Sequence, residues 1–137
     1  MSDLSVSARF MSVGECWDRV RTVPVGRLVT VVSGRADIFP VNFVVDSDRI
    51  VIRTAEGTKL AGAIASHTVL FEVDHTDDDL RTGWSVVMRG VAREPRALEE
   101  VMHDQELDLR PWSNPAPKQR FIEIRPIEIS GRAVGGA

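Results

Sequence analysis

The chain is short of several things that whole functional classes need. It has one cysteine, Cys16, so no disulfide can form within it, a thiolate zinc site is not expected, and a reducing cytoplasm is the expected setting. No stretch approaches the roughly 20 apolar residues that span a bilayer, and Met1–Ser5 has neither the basic nor the apolar region of a signal peptide. Charge of one sign is not in excess: 17 Lys and Arg face 20 Asp and Glu. A generic nucleic-acid or anionic-membrane surface needs a positive field that this balance does not supply. Any phosphate recognised here is recognised locally. The 3 histidines, His67, His75 and His103, lack the spacing of a ligand pair, so no metal site is expected. Internal repeats, low-complexity tracts and linkers are also lacking.

What is present fits one domain over residues 1–137, with 43% hydrophobic residues and with 1–11 and 133–137 expected to be loose. Ser12-Val13-Gly14-Glu15 matches a capping box, and Val13, Cys16, Trp17 and Val20 recur at helical spacing, which predicts a helix over 12–22 with Cys16 buried. Runs rich in Val, Ile and Phe predict strands over Arg27–Val32, Ile38–Asp46 and Arg49–Thr54, joined by turns at Ser33-Gly34-Arg35 and Ser47-Asp48. A short helix over 57–66 follows, then a strand over Val69–Asp74, an exposed acidic loop at Thr76–Asp79 and a strand over Trp84–Arg93. Pro95–Met102 reads as helical, with Pro95 in its first turn, and strands over Gln119–Arg125 and Ile127–Val134 end the chain. The pattern is mainly β: a barrel of about six or more antiparallel strands decorated by short helices.

One stretch carries chemistry. Arg53 ends an apolar strand, Gly57 offers a turn, and Lys59 sits where a helical pattern starts at Leu60, six residues after the arginine. A guanidinium fork, a point charge, the hydroxyls of Thr54 and Thr58 and the positive end of a helix are the parts of an anion clamp. The spacing is not that of a Walker motif, because Ile52 stands where its first glycine would be. On these residues alone, both cations could equally be solvated or paired with Glu56 or Asp48.

Pro40-Val41-Asn42-Phe43-Val44-Val45-Asp46, then Asp48–Thr54, then Gly57-Thr58-Lys59-Leu60, and later Gly83-Trp84-Ser85 through Gly90, together resemble the pyridoxamine 5'-phosphate oxidase-like split β-barrel flavoproteins. The resemblance implies that Arg53 and Lys59 hold the phosphate of FMN, with Thr54, Thr58 and Leu60 beside it. It implies that Val41, Asn42 and Phe43 lie along the isoalloxazine ring, and that Trp84 and Ser85 reach the flavin of a second subunit in a homodimer. The C-terminal tryptophan and arginine motif that holds pyridoxamine phosphate in the true oxidase is not found, the tail reading Glu128-Ile129-Ser130-Gly131-Arg132 instead, which argues against vitamin B6 oxidation. The chain is more similar to small actinobacterial-type flavin or deazaflavin oxidoreductases, some of which bind haem. The function this implies is an FMN-dependent oxidoreductase acting on an unidentified small molecule. The alternatives are a deazaflavin-coenzyme reductase of the same fold, or a non-enzymatic flavin or haem binding protein. No residue is nominated as a catalytic acid or base, since hydride chemistry would belong to the cofactor.

Overall fold

A computed structural model describes residues 8–55, 60–95, 100, 103–104, 106–107 and 119–136. The elements are β1 (Ala8–Phe10), α1 (Val13–Val20), β2 (Val25–Val32), β3 (Arg35–Asp46), β4 (Arg49–Ala55), α2 (Leu60–Ile64), β5 (Thr68–Asp77), β6 (Thr82–Arg93) and β7 (Gln119–Val134). Among the described residues the strands form one 7-stranded sheet in the order β1-β7-β4-β3-β2-β5-β6, and β7 pairs with β6 as well. That last pairing closes six strands into the split β-barrel the sequence predicts, with β1 added at the edge.

Local sequence explains the meander of β2, β3 and β4. Val32 pairs with Arg35 across Ser33 and Gly34, both at positive φ, the conformation whose twist suits a two-residue hairpin. Period-two burial is clear in β6, where Trp84, Val86, Met88, Gly90 and Ala92 point inward while Val87, Arg89, Val91 and Arg93 point out. Inside the barrel, Leu28, Phe71, Ile50, Ile52, Met88 and Ile124 are fully buried, each contributing on the order of 1.5–3 kcal/mol by leaving water. The hairpin strand β4 breaks the alternation: Ile50, Val51 and Ile52 are all buried. Its outer face is covered too, by a second cluster in which Val44 and Leu107 pack against Val51 and Phe121.

Helix α1 starts at Ser12, whose Oγ accepts from Glu15 N at 3.1 Å, as the capping pattern predicts. Glu15 does not close the box; it turns to Arg9, which donates to both its oxygens at 3.0 and 2.6 Å. Cys16 and Val20 are fully buried, whereas Val13, assigned by periodicity to the apolar face, is 54% exposed.

Several boundaries differ from expectation. Residues 8–11 and 133–134 are not loose: Ala8 to Phe10 pair with Val134 to Arg132, and Met11 N donates to Gly131 O at 2.9 Å. Strand β5 runs on through Thr76 and Asp77, leaving a turn in which Asp77 Oδ1 accepts from Leu80 N. Within the expected helix over 57–66, α2 covers Leu60–Ile64, and residues 56–59 lie outside the described set. Of the expected helix over 95–102, residue 100 is helical and 96–99 and 101–102 lie outside it. No helix among the described residues is long and apolar enough to cross a membrane.

The two predicted C-terminal strands are one strand. Pro126 reads as a break, but it sits at a bulge: Arg89 pairs with Glu128 and Gly90 with Pro126, leaving Ile127 unopposed and 70% exposed. A bulge is where a strand tolerates a residue with no N–H to donate. Gly90 is required at this crossing, because a Cβ there would stand 2.6 Å from Arg125 O and 3.0 Å from Ile124 Cγ2. Gly90→Ala is therefore expected to destabilise the barrel by about 1–3 kcal/mol, the range for overpacking against backbone. Urea unfolding measures it, and an unchanged midpoint would show that the bulge can shift freely.

Candidate functional site

The residues assigned to cofactor binding divide between two places. On the first, β3 and β4 run side by side with Phe43 opposite Ile52, both inward. Asn42 and Arg53 follow on the outward face at adjacent positions. The Asn42 amide donates to Pro24 O at 3.4 Å, and Arg53 is half-buried. Thr54 is buried and its hydroxyl donates to Arg120 O at 3.2 Å, so its single proton is committed to the backbone. Val41 packs against the core, and Phe43 lies within it, edge-on to Phe71 with ring centroids 5.0 Å apart. Those two side chains point into the barrel, so what they can offer a bound ring is strand backbone. Leu60 begins α2 just beyond β4; Thr58 and Lys59 lie outside the described residues. Beside β3, a cavity of about 340 Å³ opens between Val20–Pro24 and Phe43–Val45.

The second place is on β6. Trp84 is buried in the core and Ser85 is half-buried on the outer face, opposite Asp74 on β5 and Arg132 on β7. Arg53 lies opposite Phe121 on the same β7. Eleven residues of strand separate Phe121 from Arg132, roughly 35 Å of contour at about 3.3 Å per residue. Across the sheet, through β3, β2 and β5, four strand spacings of about 4.8 Å separate Arg53 from Ser85, so the two are not in contact within one chain.

Beside Ser85, Arg27 bridges Glu72 at 3.0 Å and Asp74 at 3.1 Å. Burial pushes the Glu72 carboxyl up to about 7, the neighbouring Asp74 adds to the shift, and Arg27 opposes it.

The most heavily charged region is one that sequence reasoning missed. On the outer face of β4 and β7, Arg49 contacts Asp46 at 2.6 Å, Asp104 at 3.3 Å and Glu123 at 2.7 Å. Arg93 reaches Glu123 at 2.7 Å and also pairs with Glu100, and His103 Nε2 stands 2.9 Å from Asp46 Oδ2. Asp104 is fully buried and Glu123 nearly so. Burial, with the Glu123 carboxylate alongside, pushes Asp104 up to about 7. Glu123 is held below its usual range by Asp104 and Arg49, against the effect of its own burial. A cavity of about 460 Å³ borders the network, with Val91 and Arg125 on its other walls. The available signal was an outward-facing Arg49 and Glu123 in strands otherwise rich in Ile and Val; what they meet is set by strand pairing and by the segment at 100–107.

The sequence model of the pyridoxamine 5'-phosphate oxidase family matches residues 12–133. This chain belongs to that family. It is 42% identical to the FAD binding protein of Mycobacterium smegmatis, over 91% of this chain and 98% of that one, with a TM-score of 0.78. A Corynebacterium diphtheriae protein of unknown function is 39% identical, over 93% and 98%, also with a TM-score of 0.78. An uncharacterized protein of Mycobacterium tuberculosis is 36% identical over 111 residues, 77% of this chain and 72% of its own length.

Two outcomes are expected of this family member. Arg49→Ala leaves buried carboxylates without their shared counter-charge and should cost about 3–5 kcal/mol in urea unfolding at neutral pH. A loss below 1 kcal/mol would mean the network is solvated. The raised Glu72 value means that the native state favours the protonated carboxyl, so that contribution is complete below about 4.5 and is lost as pH rises through about 7. Glu72→Gln does not titrate, so its stability relative to the natural protein should rise across that window. A constant difference between pH 4.5 and 7.5 would refute the shift.

Proposed function

We propose that the chain is a flavin-binding protein whose phosphate clamp is formed by Arg53 and Lys59, and that it works as an oxidoreductase on a small molecule. The observation that carries this reading is the half-buried Arg53 at the end of β4, on the same face as Asn42 and just ahead of the start of α2, in a chain 42% identical to a FAD binding protein. The residues fit the group. An isoalloxazine lies flat on strand backbone, and the outward face of β3 offers it at Val41 to Phe43 without disturbing the core beneath. Thr54, Thr58 and Leu60 are assigned to the phosphate end by the resemblance to the split-barrel flavoproteins. When bound, the flavin supplies hydride or electron transfer; the chain binds and orients it and holds donors where charge develops.

FMN is sufficient for a clamp of one arginine and one lysine. The FAD of the Mycobacterium smegmatis relative contains the same half and favours the dinucleotide as a second reading. As the resemblance to the split-barrel flavoproteins implies, Trp84 and Ser85 serve the flavin of a second copy, which makes the working unit a homodimer. The cytoplasm suits a protein whose one cysteine is buried and free.

Arg53→Ala and Lys59→Ala are each expected to weaken flavin binding by on the order of 1–3 kcal/mol, the range for charge-assisted hydrogen bonds. Fluorescence titration with FMN and with FAD checks this, and the absorption spectrum of the purified protein, with the bound molecule identified by mass, decides between the two. Unaltered affinity in both variants would sink the clamp.

A further inference from the structure

The charged network gathers at the hairpin end of β3 and β4, four residues along each strand from Asn42 and Arg53, and none of its members is assigned to the proposed flavin site. It has a donor set and an imbalance. Around Arg49 and Arg93 stand four carboxyl groups, Asp46, Glu100, Asp104 and Glu123, so with all four ionised and His103 neutral the described residues of the network sum to two negative charges. Asp104 is 0% exposed and hydrogen-bonds with the Glu123 carboxyl beside it; neither Asp104 Oδ2 nor Glu123 Oε2 receives an N–H, although Arg49 is 2.7 Å from the latter. A buried carboxyl pair of this kind is stable only with a shared proton or a cation in its place, and a metal ion can displace the proton.

We propose that Asp46, His103 and Asp104 hold a divalent first-row metal ion of the zinc and manganese class. One ligand atom from each of the three lies within 4.8 Å of the others. Bonds of about 2.0 Å in a tetrahedral shell place ligand atoms about 3.3 Å apart, so side-chain rotations close the set without moving the strands. One imidazole and two carboxylates form the mixed nitrogen and oxygen set that suits these ions rather than a thiophilic one. His103 is half-exposed, which gives the ion an entry path and leaves room for water in the remaining positions. Arg49 stays beside the site with its charge matched by Glu123, and fixes Asp46 by donating to Oδ2 from Nε at 3.1 Å and Nη2 at 2.6 Å. Asp46 ends β3, whereas His103 and Asp104 come from the helical segment beyond β6. The ion therefore staples that segment to the β3–β4 hairpin, over the Val51–Phe121 cluster that Leu107 covers.

The test is calorimetric titration of zinc chloride into the full-length, chelator-stripped protein. One equivalent per chain should bind with saturation. His103→Ala and Asp104→Asn should each weaken binding about tenfold or more, while His75→Ala, at an exposed position on β5, should bind as the natural protein does. Zinc should also raise the melting midpoint, and a chelator should return it. His103 is exposed enough for its alanine variant to fold, so that variant decides the matter if Asp104→Asn does not fold. Absence of saturable binding, or equal affinity in the natural protein and His103→Ala, would overturn the site.

Discussion

Strand β7 must pair on both sides at once, and the rest of the molecule hangs on that constraint. Its residues Gln119–Ile124 bond to β4 and Glu123–Val134 bond to β6, so one 16-residue strand closes the sheet into a barrel. Closure fixes which residues face the core, because side chains alternate and a register slip of one would reverse them all. A straight strand cannot serve both neighbours. The bulge at Ile127, beside Pro126 and opposite Gly90, is the bend that lets it, and Gly90 is the position where two backbones approach too closely for a side chain. The added strand β1 and the buried contact of Met11 also rest on the far end of β7.

The same closure sets the electrostatics. Glu123 lies on β7 opposite Val51, and its neighbours are Arg49 from β4 and Arg93 from β6. Buried charges persist only with partners, and here two strands adjacent to β7 each supply one. The segment bearing Glu100, His103, Asp104 and Leu107 lies over this face, so Val51 is buried although it points away from the barrel. Burial on both faces is what removes the period-two pattern from Ile50, Val51 and Ile52.

The outward face of β3 and β4 at Asn42 and Arg53 carries a different chemistry. Asn42 and Arg53 stand over a core made rigid by Phe43, Phe71 and Ile52, so their positions are set by packing rather than by a flexible loop. That is the kind of support a cofactor's polar end needs, since orientation is lost if the supporting shell can move. Arg27 stands on β2, whose Val25 pairs with Asn42, and Ser85 lies two strands further round, opposite Asp74 of β5.

The amino-acid order by itself determined much of this. Alternating Val, Ile and Phe runs with Ser-Gly and Ser-Asp turns specify the meander, the capping serine specifies α1, and the order of the Pro-Val-Asn-Phe, Arg53–Leu60 and Gly-Trp-Ser motifs led to the family that the comparisons show. Local signals succeed there because a turn or a cap is decided by a few adjacent residues. Where the sequence reading fell short, distant residues decide. Pro126 looks like a break until β6 supplies the bulge that accepts it, and Ala8–Phe10 look loose until Arg132–Val134 supply hydrogen-bond partners. Phe43 is assigned to a ring-binding strand, and only the pairing with Ile52 shows that its side chain points into the core. Histidine spacing in the chain gave no reason to join His103 to Asp46, since ligands 57 residues apart meet only through the tertiary structure.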